Sequence, residues 1–261
     1  MSFTSDAIVL RTWPVNEADL IVSFLTRDHG KLKGVAKAAM KSRRRFGGSL
    51  EMMTQVRATF VERPRHELVR IDHFDLVASP LRLPTSYARM TALSFFAEVV
   101  EESLPDRNPE EVAFRLLAAV LDHSVEERLW LAITYFSLWM TRLMGWLPEL
   151  SHCAVCRESL LDVGGWFHPG ADGLHCAQHR QPSSGALVAE SLHLAQRILR
   201  CPIAELAAQP WSARTAADLR RFVIQSLERH LERRLRSAEA LRRMATSGST
   251  RVQRPVATTL E

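Results

Sequence analysis

Two short spacings, Cys153-x2-Cys156 and Cys176-x2-His179, oblige the chain to bring four soft ligands to one point, so residues 151–182 read as a unit of their own. Each pair makes a tight turn that aims two donors at one ion, and two such turns complete a tetrahedral shell. A shell filled by protein leaves no open position for water or substrate, so the spacing predicts a structural zinc knuckle rather than a hydrolytic centre. His152, His168 and His175 lie close enough to compete for the fourth position, and the two-residue spacing favours His179. Two disulfides are the alternative, and they require an oxidising compartment. Residues 1–10 have neither a basic start nor a long apolar core, and Asp6 breaks the run, so no secretory signal is read and a cytoplasmic protein is expected. Cys201 has no partner at ligand spacing and reads as a small buried side chain.

The chain of 261 residues has 34 basic and 29 acidic side chains, and the placement of these charges says more than their sum. Residues 27–45 hold eight cations (Arg27, Lys31, Lys33, Lys37, Lys41, Arg43, Arg44, Arg45) against one acid, Asp28. Residues 98–128 reverse this, with nine acids and three arginines. One region attracts phosphate and the other repels it. The longest apolar stretch, 129–140, is fenced by Arg128 and Arg142 and is too short to span a bilayer, so no membrane contact is expected.

Hydrophobic periodicity divides the rest. Residues 7–10, 20–25, 31–36, 54–61 and 68–76 are short β-type runs separated by turn formers such as Pro14-Val15-Asn16, Asp28-His29-Gly30 and Glu62-Arg63-Pro64-Arg65. Val56, Ala58 and Phe60 alternate with Gln55, Arg57 and Thr59, which gives that strand one apolar face. Five such strands suit a small closed barrel of the OB type. Its third strand and a following loop, loosened by Gly47-Gly48, would carry the cations.

After Pro80 and Pro84 the period becomes helical: Leu93, Phe96, Ala97 and Val100 share a face. Asn108-Pro109 predicts a helix start, and Ser124 with Glu127 a capping box ahead of residues 129–143. Trp130, Phe136, Trp139 and Met140 read as core. Helices are expected again over 185–200 and in one long arginine-rich stretch, 212–244, whose cations are a solvated face or a second nucleic-acid strip. The fold class is therefore α+β and multidomain: an OB barrel (1–80), an all-α domain (81–150 and 183–245) interrupted by the zinc module (151–182), and a disordered tail (246–261).

Phosphate loops, Gly-rich dinucleotide motifs, H-E-x-x-H and G-x-S-x-G are all missing from the sequence, so no catalytic residue is assigned and no enzyme is expected. What remains is electrostatics on a barrel. The candidate DNA-binding residues are Lys31, Lys33, Lys37, Lys41, Arg43, Arg44 and Arg45, with Trp13 and Phe46 the nearest rings for stacking. With about five phosphate contacts on a single strand, the log–log slope of affinity against salt is about −3.5. A protein-interaction scaffold that does not touch nucleic acid is the rival reading.

The arrangement resembles the bacterial recombination mediator family RecO. The likeness rests on Ala7-Ile8-Val9-Leu10-Arg11, on Glu17-Ala18-Asp19-Leu20-Ile21-Val22, on Leu25-Thr26-Arg27-Asp28-His29-Gly30-Lys31-Leu32, on Val35-Ala36-Lys37, and on the paired ligands after Gly145-Trp146-Leu147-Pro148-Glu149-Leu150. Where the family usually reads Lys-Gly-Ala-Arg-Arg, this chain has Lys37-Ala38-Ala39-Met40-Lys41. The resemblance implies a non-enzymatic repair factor, nucleoid-associated, that binds single- and double-stranded DNA and anneals complementary strands. It also implies partnership with RecR, capture of the acidic C-terminal tail of single-stranded-DNA-binding protein, and indirect help to RecA in loading onto coated strands. That tail would be expected between the last arginine-rich helix and the 130–143 helix.

Overall fold

The computed structural model describes residues 1–62 and 66–250; the turn expected at Arg63-Pro64-Arg65 and the end of the tail, 251–261, lie outside the described residues. Five strands, β1 (Ser2–Pro14), β2 (Leu20–Thr26), β3 (Gly30–Ala36), β4 (Gln55–Val61) and β5 (Val69–Ala78), close into a barrel in the order β1-β2-β3-β5-β4. The long β1 serves both neighbours, pairing with β4 through its first half and with β2 through its second, with a bulge between Val9 and Arg11. The closing pair, β3 with β5, is parallel and short, from Gly34↔Val69 to Ala36↔Ile71. A side chain at Gly34 would meet Ile71 and Val69 at 2.7 Å, so only glycine lets the seam close. Val9, Val22, Phe24, Leu32, Val56, Ala58, Phe60, Ile71 and Phe74 fill the interior, with the alternation read in 55–61. Removing a ring such as Phe24 would cost about 3–5 kcal/mol.

On β1, Ala7–Leu10 is buried without alternation, because the outer face of the strand is covered too: Ile8, Leu10 and Leu25 belong to the helical core. Those helices are α2 (Tyr87–Ser103), α3 (Glu111–Asp122), α4 (Leu129–Leu143), α5 (Ala189–Ile198), α6 (Ile203–Leu206), α7 (Ala217–His230) and α8 (Arg236–Thr250). The apolar stretch 129–140 is the central helix α4; its buried Thr134, Ser137 and Thr141 hydroxyls donate to carbonyls one turn back, which leaves no polar group stranded.

The structure redraws several helix ends. Asn108 does not cap α3: Glu110 holds the cap position, and Asn108 donates its side-chain amide to Glu110. Ser124 does not form a capping box either; its hydroxyl donates back to Val120, a 3₁₀ turn (Glu126–Arg128) follows, and Arg128 precedes α4. Gly185–Leu187 is a strand, β7, paired with β6 (Gly165–Phe167). The stretch 212–244 is two helices, broken where Glu232 takes a left-handed φ of 53°. The break turns α8 back along α2, where the Glu98 carboxylate accepts from the backbone N–H groups of Arg236 and Ser237 at 2.9 Å each, capping the new helix from outside. Residues 246–250, expected in a disordered tail, continue α8.

Candidate nucleic-acid interface and metal centre

The two ligand turns meet. The donor atoms of Cys153, Cys156, Cys176 and His179 all lie within 4.8 Å of one another. Cys156 Sγ to Cys176 Sγ is 3.7 Å, Cys176 Sγ to His179 Nδ1 is 3.2 Å, and Cys153 Sγ to His179 Nδ1 is 3.8 Å. Zinc–sulfur bonds of about 2.3 Å at tetrahedral angles give sulfur–sulfur edges of about 3.8 Å, so the donor set fits zinc. All four cysteines are free, and a 3.7 Å separation is not a disulfide. The competing histidines are otherwise placed: His152 on the Glu149 carboxylate at 2.6 Å, His168 accepting from Gly170 N–H at 3.0 Å, and His175 buried in the β-bridge with Trp166.

The turns are held by backbone: Cys153 N–H donates to Glu158 O, Ala154 N–H to Leu174 O, and Arg157 takes a left-handed φ of 64°. Burial pushes the Cys153 thiol up, but the N–H groups of Cys156, Cys176 and Val155 outweigh it and bring it down to about 6. Cys176 moves the other way, raised chiefly by burial and further by its contacts with the Cys156 and Cys153 thiols.

The cations of residues 27–45 separate into two groups. Lys37, Lys41, Arg43 and Arg44 are exposed, and none forms an ion pair with a described acid. They stand on a shaped loop. Arg43–Phe46 is a single helical turn, α1, anchored by Phe46, which is 3% exposed and packs edge-on to Phe74. Arg45 closes the loop on itself, donating Nη2 to Lys37 O at 2.6 Å and Nε to Ser42 Oγ at 3.1 Å, with its guanidinium over the Phe46 ring. Ala38 N–H donates to Asp19 Oδ1 at 2.7 Å, and this bond, with one from Asn16, lowers the Asp19 carboxyl below its ordinary value. The β1–β2 turn thus fixes the start of the loop, a partner the basic run itself does not signal.

Lys31 is corrected by the structure. It is 4% exposed; its ammonium donates to Glu101 O and sits 3.2 Å from Asp106 and 3.8 Å from the Glu101 carboxylate. Period-two alternation places Lys31 and Lys33 on one face, as expected, but that face is covered by the segment joining α2 to α3. Lys33, 40% exposed at its side chain, reaches the other Asp106 oxygen at 3.5 Å. Phe46 is likewise unavailable for stacking, and Trp13 is half-buried with Arg11 over its ring.

Most arginines of α7, α8 and the break between them are spent on partners within the molecule, whereas Arg234 and Arg236 are exposed and pair with no described acid. Arg220 is buried over the Trp130 ring, 4.5 Å from its centroid, and donates to Thr134, Thr215 and Ala213. Arg221 lies over Phe167; Arg229 pairs with Asp172 at 2.7 Å, Arg233 with Glu102 at 2.6 Å and Arg242 with Glu228 at 2.6 Å. With Arg220 filling the α4–α7 contact, the peptide groove expected there is closed. An open apolar groove of about 520 Å³ lies on another side of α4, lined by Val112, Leu116, Tyr135, Trp139 and Pro202 and flanked by Arg115 and Arg200.

Two family models match the chain: Recombination protein O N terminal over residues 1–80 and Recombination protein O C terminal over residues 84–239. The DNA repair protein RecO of Koribacter versatilis is 51% identical over 231 residues, covering 88% of this chain and 94% of the relative. The proteins of the same name from Anaeromyxobacter sp. strain K and Bifidobacterium adolescentis are 31% and 29% identical, over 87% and 92% of this chain and 91% and 98% of theirs. No described helix is long and apolar enough to cross a membrane.

Proposed function

The chain belongs to the recombination protein O family, and on that premise we propose that it serves DNA repair and recombination by gripping the sugar–phosphate chain through the β3–β4 loop of its barrel. The observation that carries this reading is the set of four exposed cations, Lys37, Lys41, Arg43 and Arg44, which form no ion pair with a described acid on a loop braced by Arg45 and Asp19. Phosphate contacts carry no base information, so single- and double-stranded DNA both bind. Few rings are exposed to hold bases, which leaves base edges free. Two strands whose backbone repulsion is screened by the same loop can then pair, and this is strand annealing.

Zinc is the ion the cluster would take, with a structural role: it supplies the crosslinks that a module this small needs, and Cys153, Cys156, Cys176 and His179 would hold it. No catalytic step is assigned. For the tail of single-stranded-DNA-binding protein, an acidic peptide with apolar side chains, the groove between Arg115 and Arg200 offers the matching chemistry. RecR, and RecA through loading on coated strands, are the remaining partners of this reading.

Four contacts on a single strand give an affinity that falls with salt at a log–log slope of about −2.8. Titration of labelled oligo-dT across a potassium chloride series tests it. A flat response excludes phosphate binding; a pull-down that survives nuclease treatment, with no DNA shift, selects the scaffold reading instead.

A further inference from the structure

The segment between α2 and α3 docks on β3 where that strand has only one barrel neighbour among the described residues. β3 pairs with β2 along its whole length, but with β5 only from Gly34 onward. Residues 30–33 therefore have no second strand partner among the described residues, and Asp106 forms a parallel bridge to Lys31 there, with Arg107 N–H donating to Lys31 O at 2.8 Å. Arg107, at a left-handed φ of 60°, reaches across to the Glu62 carboxylate at 2.8 Å and to Glu67 O at 2.9 Å. A Cβ on Gly30 would come within 2.3 Å of Asn108 O, so the approach depends on glycine. At the centre of this strap the Asp106 carboxylate forks, one oxygen to Lys31 and the other to Lys33.

Taking the phosphate-binding reading above as its basis, we infer that Asp106 sets the edge of the nucleic-acid footprint: it occupies Lys33 and confines phosphate contact to the β3–β4 loop. Lys31 and Lys33 differ in this respect. Lys31 is enclosed and keeps the Glu101 carbonyl and carboxylate if Asp106 loses its charge, so its role is internal. Lys33 is half-exposed and has no other acid within ion-pair distance among the described residues, so neutralising Asp106 releases one ammonium beside the loop. A phosphate approaching Lys33 in the intact protein also meets the Asp106 charge, which is 48% exposed. The arrangement makes a binding surface narrower than its sequence implies.

The test is a two-by-two set, wild type, D106N, K33A and D106N/K33A, titrated with labelled oligo-dT from low to high potassium chloride. D106N is expected to bind about three-fold more tightly at low salt, with the log–log slope steeper by about 0.7, the increment of one added phosphate contact. K33A alone should leave affinity and slope as in wild type, and the double variant should return to wild type. An unchanged slope in D106N overturns the inference, as does a K33A variant that weakens binding in the wild-type background. Should D106N fail to fold, D106S takes its place in the same set, and a K33A variant that weakens binding still overturns the inference. If wild-type binding is flat with salt, the phosphate reading fails; if it is steep and D106N does not change it, this inference alone fails.

Discussion

Residues 37–45 and residues 214–243 are the two most arginine- and lysine-rich parts of the chain, and the fold treats them in opposite ways. On the barrel loop the nearest charged neighbours of each cation in sequence are other cations, and the loop's anchoring ring, Phe46, is turned inward. Along α7 and α8, Asp218, Glu228, Glu232 and Glu239 are interleaved among the arginines, and the helices lie against α2, α4 and residues 151–182, which add Glu102, Trp130, Phe167 and Asp172. The lesson is that the availability of a charge, rather than its presence, marks a polyanion surface. Availability is set by what packs against the segment.

The contrast depends on the module of residues 151–182 that carries the Cys–His cluster, because two of the α7 arginines end on it: Arg221 over Phe167 and Arg229 on Asp172. Removing a metal held by this cluster, by chelation or by Cys176→Ser, is therefore expected to be the severest perturbation. A structural zinc site holds several kcal/mol of folding free energy, so residues 151–187 should lose order and become cleavable by trypsin. Metal analysis, with limited proteolysis before and after chelation, checks this, and a zinc-free preparation with the same protection would show the cluster to be incidental. Next in size is Arg220→Ala. Burial brings this guanidinium down to about 10, still charged at neutral pH, and its hydrogen bonds and the Trp130 ring hold it in place. Its loss leaves the Thr215 and Ala213 carbonyls without their donor and removes the bond to Thr134, and should cost about 3 kcal/mol, a fall in Tm of roughly 6–12 °C. DNA affinity of the folded variant should not change.

The loop gives the opposite signature. Reversing Lys37, Arg43 and Arg44 to glutamate should lower single-strand affinity on the order of a hundred-fold at low salt and flatten the log–log slope by about 2, with Tm unmoved. Equal weakening for sequences of different composition is expected, since backbone contacts do not read bases. A variant that binds normally would remove the loop from the interface.

How far the sequence carried these conclusions depends on the range of the interaction. Strand alternation in 55–61, the helical face at Leu93, Phe96, Ala97 and Val100, and the two ligand turns are local patterns, and each was legible from spacing alone. The fate of Lys31 was not, because Asp106 lies 75 positions away and meets it only through a strap docked on β3. Asn108 and Ser124 had the composition of helix caps, yet tertiary partners claimed the chain at both places; Arg89 takes the Ser124 carbonyl at 2.7 Å. The break at Glu232 carries no glycine or proline to announce it. It is imposed by the docking of α8 on α2, where Leu235, Ala238 and Leu241 are buried.

The smallest expected effect is also the sharpest discriminator between the two cationic regions. Arg229→Ala and Arg233→Ala remove partly exposed ion pairs with Asp172 and Glu102, and such pairs contribute roughly 0–1 kcal/mol once screened by solvent. Stability should therefore move by no more than a few degrees. If α7 and its neighbours formed a second strip along the nucleic acid, each substitution would also lower the salt slope by about 0.7, as a loop substitution does. Because both guanidinium groups already face carboxylates, the slope should stay at its wild-type value and affinity within about two-fold. Measured beside Arg44→Ala on the same oligonucleotide, this pair separates charges that hold the protein together from charges left for a partner.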